Sequence, residues 1–187
     1  MAWKTIPSLQ KDIILLLAKE GAKTKNEISE ALGKTYKNVL FAIKSLQDKG
    51  LISEHGTKNY RTQKFKKYWL TRLGVFQAYA LGANPTTLKS QYIKHQGDLT
   101  QEELEAIEAV FSFMQLFGRE RVNLFIECVD LSAPTPKIKY LPANLANPEE
   151  LQKILKTLAK YKPVRERIKA SWQEINKIFQ ETLGVKA

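Results

Sequence analysis

The 187 residues carry 30 Lys and Arg against 19 Asp and Glu, a net charge of +11, and 43% are hydrophobic. That apolar share supports a packed core and excludes global disorder, while the charge favours a polyanionic partner, nucleic acid before an acidic membrane surface. The longest apolar run, Ile13 to Ala18, is too short to span a bilayer, and the single cysteine, Cys128, excludes an internal disulfide and a cysteine-rich zinc site. Cys128 reads as a small buried hydrophobe. The first residues lack a charged start, a long apolar stretch and a small-residue cleavage site, so a cytoplasmic protein without a membrane role is expected.

In chain order, Leu9, Ile13, Leu16 and Leu17 recur at helical spacing and predict a helix over about 7–20, ended by Gly21. Thr24-Lys25-Asn26-Glu27 is a capping box that opens a second helix over about 25–32, with Ile28, Ala31 and Leu32 inward. Gly33-Lys34-Thr35 is a short turn, and a third helix follows over 36–49, with Val39, Ile43 and Leu46 inward and Gly50 as its left-handed cap. Two extended segments come next, 51–54 and 67–70, separated by the polar, basic stretch 55–66, which reads as the long tip of a β-hairpin. Thr71 caps a fourth helix over about 72–81.

Beyond Gly82 the pattern stays helical. One short helix starts at Ala83-Asn84-Pro85-Thr86 and ends near Gln96-Gly97. A second capping box, Thr100-Gln101-Glu102-Glu103, opens a helix to about Phe117, with Leu104, Ile107, Val110, Phe111 and Met114 inward. Residues 119–130 read as a further helix. The four prolines of 131–148 read as an irregular connector, within which 137–141 suits a short extended piece. Helices from Pro148 and Pro163 close the chain, the last with Val164, Ile168, Trp172, Ile175, Ile178, Phe179 and Leu183 along one stripe.

The charge is not shared evenly. Residues 1–82 hold 15 Lys/Arg and 6 Asp/Glu, a net of +9, whereas residues 83–187 hold 15 and 13, a net of +2. No catalytic constellation stands out. His55 and His95 lack cysteine or acidic neighbours at ligand spacing, and Glu102, Glu103, Glu105 and Glu108 sit in early helical turns where acids favour the dipole. There is no glycine-rich phosphate loop and no nucleophile elbow. Neither an enzyme, a metal site nor a cofactor is expected.

Two segments carry a resemblance. Ala42-Ile43-Lys44-Ser45-Leu46-Gln47-Asp48-Lys49-Gly50-Leu51-Ile52 resembles the exit of the recognition helix in MarR-, PadR- and ArsR-like winged-helix regulators. Tyr68-Trp69-Leu70-Thr71-Arg72-Leu73-Gly74 resembles the passage from the wing's second strand into the next helix. The resemblance implies a winged helix-turn-helix over 1–82. It does not extend to 83–187, where the helical pattern predicts an α-helical domain expected to serve dimerisation, a partner or an effector, so a mainly α protein is expected. The resemblance implies a DNA-binding transcriptional regulator on double-stranded DNA, acting as a homodimer.

The residues then expected at the DNA are Lys34, Thr35, Tyr36, Lys37, Asn38 and Lys44 on the third helix, and Lys58, Asn59, Arg61 and Lys64 on the wing. Lysines suit phosphates, Asn38 suits an adenine edge, and Arg61 suits a narrow minor groove. Leu40 and Phe41 depart from the family pattern, which often has small polar or arginine residues there. An outward Phe41 could touch thymine methyls; an inward one leaves readout to the first turn. The alternative is a winged helix used as a protein-interaction module, against which the lysine excess argues.

Overall fold

Side-chain caps at Thr24, Thr35, Thr71, Asn84 and Thr100 start five of the helices. A computed structural model describes residues 6–119 and, past them, 129–130, 137–138, 156, 160–162, 165–166, 169–170 and 173. The first elements are α1 (Ser8–Glu20), β1 (Lys23–Thr24), α2 (Lys25–Leu32), α3 (Tyr36–Asp48), β2 (Ile52–Tyr60), β3 (Gln63–Leu70), α4 (Arg72–Ala80) and α5 (Pro85–Gln96). They are followed by α6 (Gln101–Phe117), β4 (Val129–Asp130) and β5 (Lys137–Ile138). Among the described residues no helix is long and apolar enough to cross a membrane.

The first compact unit comprises residues 1–97 and 118–123. Its core takes Ile13, Ile14 and Leu17 of α1, Ile28 of α2, and Val39, Ile43 and Leu46 of α3. Val75 and Phe76 of α4, a helix buried from Gly74 through Tyr79, join it with Leu88 and Tyr92 of α5 and Tyr68, Trp69 and Leu70 of β3. Burying each such large side chain stabilises the fold by roughly 1.5–3 kcal/mol. Of the α2 residues expected inward, Ile28 is buried and Leu32 half-buried, whereas Ala31 is exposed. The sheet order is β1-β3-β2, all antiparallel. With α2, the tight turn and α3, this is the winged helix-turn-helix arrangement. Compactness carries the unit past Gly82 to Gly97, since α5 packs on α1 and α4. Arg119 also belongs to it and donates to the Gly82 carbonyl at 3.2 Å.

The hairpin differs from expectation. In place of a long tip over 55–66, β2 and β3 run on to Tyr60 and Gln63, which pair, leaving only Arg61-Thr62 as the turn. A ladder continues through polar residues because it needs backbone groups rather than apolar side chains. Between Glu54 and Thr57 the register slips by one residue, a bulge at His55-Gly56.

The second compact unit comprises residues 98–117 and 124–187. Its α6 starts at the expected capping box: the Thr100 N–H donates to Glu103 Oε2 at 2.8 Å, and the Glu103 N–H returns to Thr100 Oγ1 at 3.3 Å. Ile107, Val110, Phe111 and Met114 are buried. Val129 and Asp130 form a strand paired with Lys137–Ile138, so the helix expected over 119–130 does not reach its last two residues. Most of that helix, Cys128 and the apolar stripe of the last helix lie outside the described residues. Lys162, Arg165, Glu166, Lys169, Ala170 and Gln173 are helical and exposed.

Candidate nucleic-acid interface

Both ends of α3 are held by local chemistry. Thr35 is the N-cap, its hydroxyl accepting the Asn38 N–H at 3.4 Å. At the other end Gly50 has φ +67, a conformation that a side chain disfavours. The Gly50 N–H bonds to the Gln47 carbonyl at 2.8 Å and the Leu51 N–H to the Leu46 carbonyl at 2.9 Å. That pair of bonds is a Schellman motif, closed by the buried pair Leu46 and Leu51.

The Leu51 carbonyl then accepts the Thr71 N–H at 3.0 Å. The Thr71 hydroxyl donates to the Gly50 carbonyl at 2.6 Å and accepts the Gly74 N–H at 3.1 Å. A Cβ on residue 74 would lie 1.9 Å from the Leu51 carbonyl oxygen, so only glycine fits. The two sequence segments that carry the family resemblance are thus two sides of one junction. Behind α3, buried Gln10 donates to Ser45 Oγ at 3.0 Å and accepts from Lys49 at 2.6 Å.

With its core side fixed, α3 presents Tyr36, Lys37, Asn38, Leu40, Phe41 and Lys44 outward; Lys34 and Thr35 in the preceding turn are exposed too. Tyr36 is 50% and Phe41 60% exposed.

On the hairpin, opposed residues share a face and faces alternate along each strand. The register therefore divides the wing residues. Thr57, Asn59, Lys64 and Lys66 lie on one face. Lys58, Tyr60, Gln63 and Phe65 lie on the other. Lys58 reaches Glu27 of α2, with Nζ 2.6 Å from Oε1. The other Glu27 oxygen accepts the Thr24 N–H at 2.8 Å, so one carboxylate closes the α2 capping box and ties down the wing. Burial alone would raise the Glu27 carboxyl. Hydrogen bonds from Lys58 and Thr24, with the Lys58 charge, outweigh it and bring the group from 4.5 to about 2. Lys66 is paired with Glu54 at 2.7 Å.

At the tip, Arg61 has φ +53, a left-handed turn conformation uncommon for a residue with a side chain, and its guanidinium lies 5.5 Å from the centre of the Tyr60 ring. Lys34, Lys37, Lys44, Arg61 and Lys64 make no ion pair among the described residues. Of the ten expected site residues, all are exposed; Thr35 is also a cap, and Lys58 is also an internal tie.

Chain separation hid a second cluster. The bulge brings His55 to His95 of α5, Nε2 to Nδ1 at 3.2 Å, and the Trp69 ring centre lies 4.4 Å from that of His95. The Ala22 N–H donates to His95 Nε2 at 3.3 Å. A neutral ring accepting there carries its proton on Nδ1 and donates it to His55. Burial, then the neighbouring His55, Lys94 and Lys67, push the His95 pKa down. No group of three or more His, Cys, Asp or Glu among the described residues could hold a metal ion.

Residues 8–53 match the winged helix-turn-helix DNA-binding family, a span running from α1 into the first residues of β2. The chain is 25% identical, over 115 residues and 61% of its length, to the HTH-type transcriptional activator ArnR of Sulfolobus acidocaldarius. That stretch covers 39% of ArnR, so the chain spans well under half of that relative. It is also similar to a Bacillus subtilis PadR solved in complex with operator DNA, over 91% of this chain and 98% of that one, at 18% identity and a TM-score of 0.37. A likeness that loose bears on neither fold nor partner.

Proposed function

We propose that this chain is a DNA-binding transcriptional regulator that places α3 in the major groove and the wing on the neighbouring backbone. The observation that carries the reading is the set of exposed cations on one helix and one hairpin, Lys34, Lys37, Lys44, Arg61 and Lys64, which no acid among the described residues neutralises. Exposed, unpaired cations next to a helix held by its core side suit phosphates. Asn38 supplies a donor and an acceptor for a base edge. The chain acts by binding, in the cytoplasm, and needs no cofactor. Fluorescence anisotropy with duplex DNA tests this: log affinity falls with log salt at a slope near −0.9 per phosphate contacted, and no binding at about 50 mM salt overturns the reading.

The regulator works as a homodimer. One winged helix supplies one recognition helix, and a two-fold site needs two, about 34 Å apart. The stripe Val164, Ile168, Trp172, Ile175, Ile178, Phe179 and Leu183 supports a seam in the second unit, which also has room for a partner or effector role. Light scattering on the full chain and on a truncation after Gly97 checks it: a dimer and a monomer are expected, and a monomeric full chain overturns the seam.

A further inference from the structure

The outer ridge of α3 is not simply basic. At about 100° per residue, Phe41 points roughly 150° away from the mean direction of buried Val39, Ala42, Ile43 and Leu46. It therefore lies on the outermost face of α3, which it shares with exposed Lys37, Lys44 and Asp48, and 60% of it is exposed. Exposed Lys37 stands one turn before it and exposed Lys44 one turn after, with Leu40, 37% exposed, alongside.

A protein partner would meet an apolar hot spot in a lysine-poor patch, because lysine is depleted from interface centres. A Lys-Phe-Lys ridge instead complements a polyanion that has a hydrocarbon feature between its charged edges. The major groove has one such feature, the C5-methyl group of thymine, lying between two phosphate backbones.

Resting on the reading that α3 enters the major groove, we propose that Phe41, with Leu40 beside it, is a specificity-determining residue that recognises thymine methyl groups. The preferred site then contains thymine under the middle of α3, next to the base pair within reach of Asn38.

The test removes the methyl and nothing else. A preferred duplex is selected from a random library with the full-length protein, and each thymine in it is replaced singly by deoxyuridine. Anisotropy titrations are run with the wild type and with Phe41→Ala. For the wild type, one or two replacements weaken binding roughly three- to fivefold each, the ratio expected for one buried methyl. Phe41→Ala binds thymine and deoxyuridine duplexes equally, while keeping the wild-type melting temperature, as expected for a side chain 60% exposed. The wild-type measurement stands without any variant. Salt-dependent binding that tolerates every deoxyuridine overturns the methyl readout and leaves the DNA-binding reading standing. A thymine effect that persists in Phe41→Ala assigns the readout to another residue and overturns the role of Phe41. Absence of duplex binding altogether overturns both.

Discussion

α3 and the wing carry comparable positive charge and hold it in different ways. On α3, Lys37 and Lys44 flank an apolar ridge, and the helix is gripped from behind by Val39, Ile43 and Leu46, all at most 1% exposed. The distal wing has little core behind it; from Lys58 to Lys64 every residue is exposed. Its shape comes from the backbone ladder and from ion pairs that engage Lys58 with Glu27 and Lys66 with Glu54. A basic residue on the helix is thus available to a partner by default, whereas one on the hairpin has first to be separated from the fold's own needs. Lysine density alone would have ranked the two regions equally.

The junction between them is where the largest loss is expected. Gly74→Ala drives a methyl group into the Leu51 carbonyl and costs about 3 kcal/mol in urea unfolding, at the high end for overpacking. Because α3, β2 and α4 meet there, helix and wing should lose DNA affinity together rather than separately.

Separating them takes two milder substitutions. Asn38→Ala is expected to cost about 2 kcal/mol on a selected site and little on random duplex. Lys64→Ala weakens binding to both and lowers the salt slope by about one. Equal losses from Asn38→Ala on both DNAs would mean that α3, like the wing, contacts only the backbone.

Glu27 sharpens the comparison from the stability side. Glu27→Ala removes a capping acid and the Lys58 tie at once, and about 1 kcal/mol is expected in chemical denaturation. Because its pKa falls from 4.5 unfolded to about 2 folded, its contribution is complete above pH 4.5 and disappears as pH drops towards 2. Glu27→Gln should flatten the stability profile across that interval.

The smallest effect belongs to the histidine pair at the wing base. The folded His95 pKa lies below its ordinary 6.5, so the unfolded chain binds the extra proton more readily. Stability from this group is complete above 6.5 and declines as pH falls through the folded value. A melting series from about pH 7.5 to about pH 5 should show the decline, and His95→Gln, which keeps an acceptor for the Ala22 N–H, should reduce it.

What was legible in the sequence was local. The boxes Thr24–Glu27 and Thr100–Glu103, the Gly50 cap and the Thr71–Gly74 cap each use atoms three to five residues apart, so residue order carries them. β1 was not legible, since two residues have no periodicity and pair only because β3 offers an edge. The short hairpin tip leaves no sequence signal, because Arg61-Thr62 lacks the Asn-Gly or Asp-Gly signature of a two-residue turn and the strands beside it alternate without an apolar face. Of the ten site residues, exposure follows from helix period and hairpin register. The engagement of Lys58 does not, because Glu27 lies 31 residues away in the chain. The meeting of His55 and His95 needs both a bulge and the docking of α5.

The Leu51 carbonyl gives the wing a mechanical property. The oxygen that accepts the Thr71 N–H also abuts Gly74, fixing the strand base against the start of α4. From that pivot β2 extends nine residues, about 30 Å at the usual rise per residue. A tilt of about 5° at the base of a lever that long would swing its end by roughly 2–3 Å. A displacement of that size breaks a hydrogen bond to a fixed phosphate. Angular stiffness at one peptide group thus bears, together with the Lys58–Glu27 tie farther along the hairpin, on the reach of Arg61, a residue it never touches.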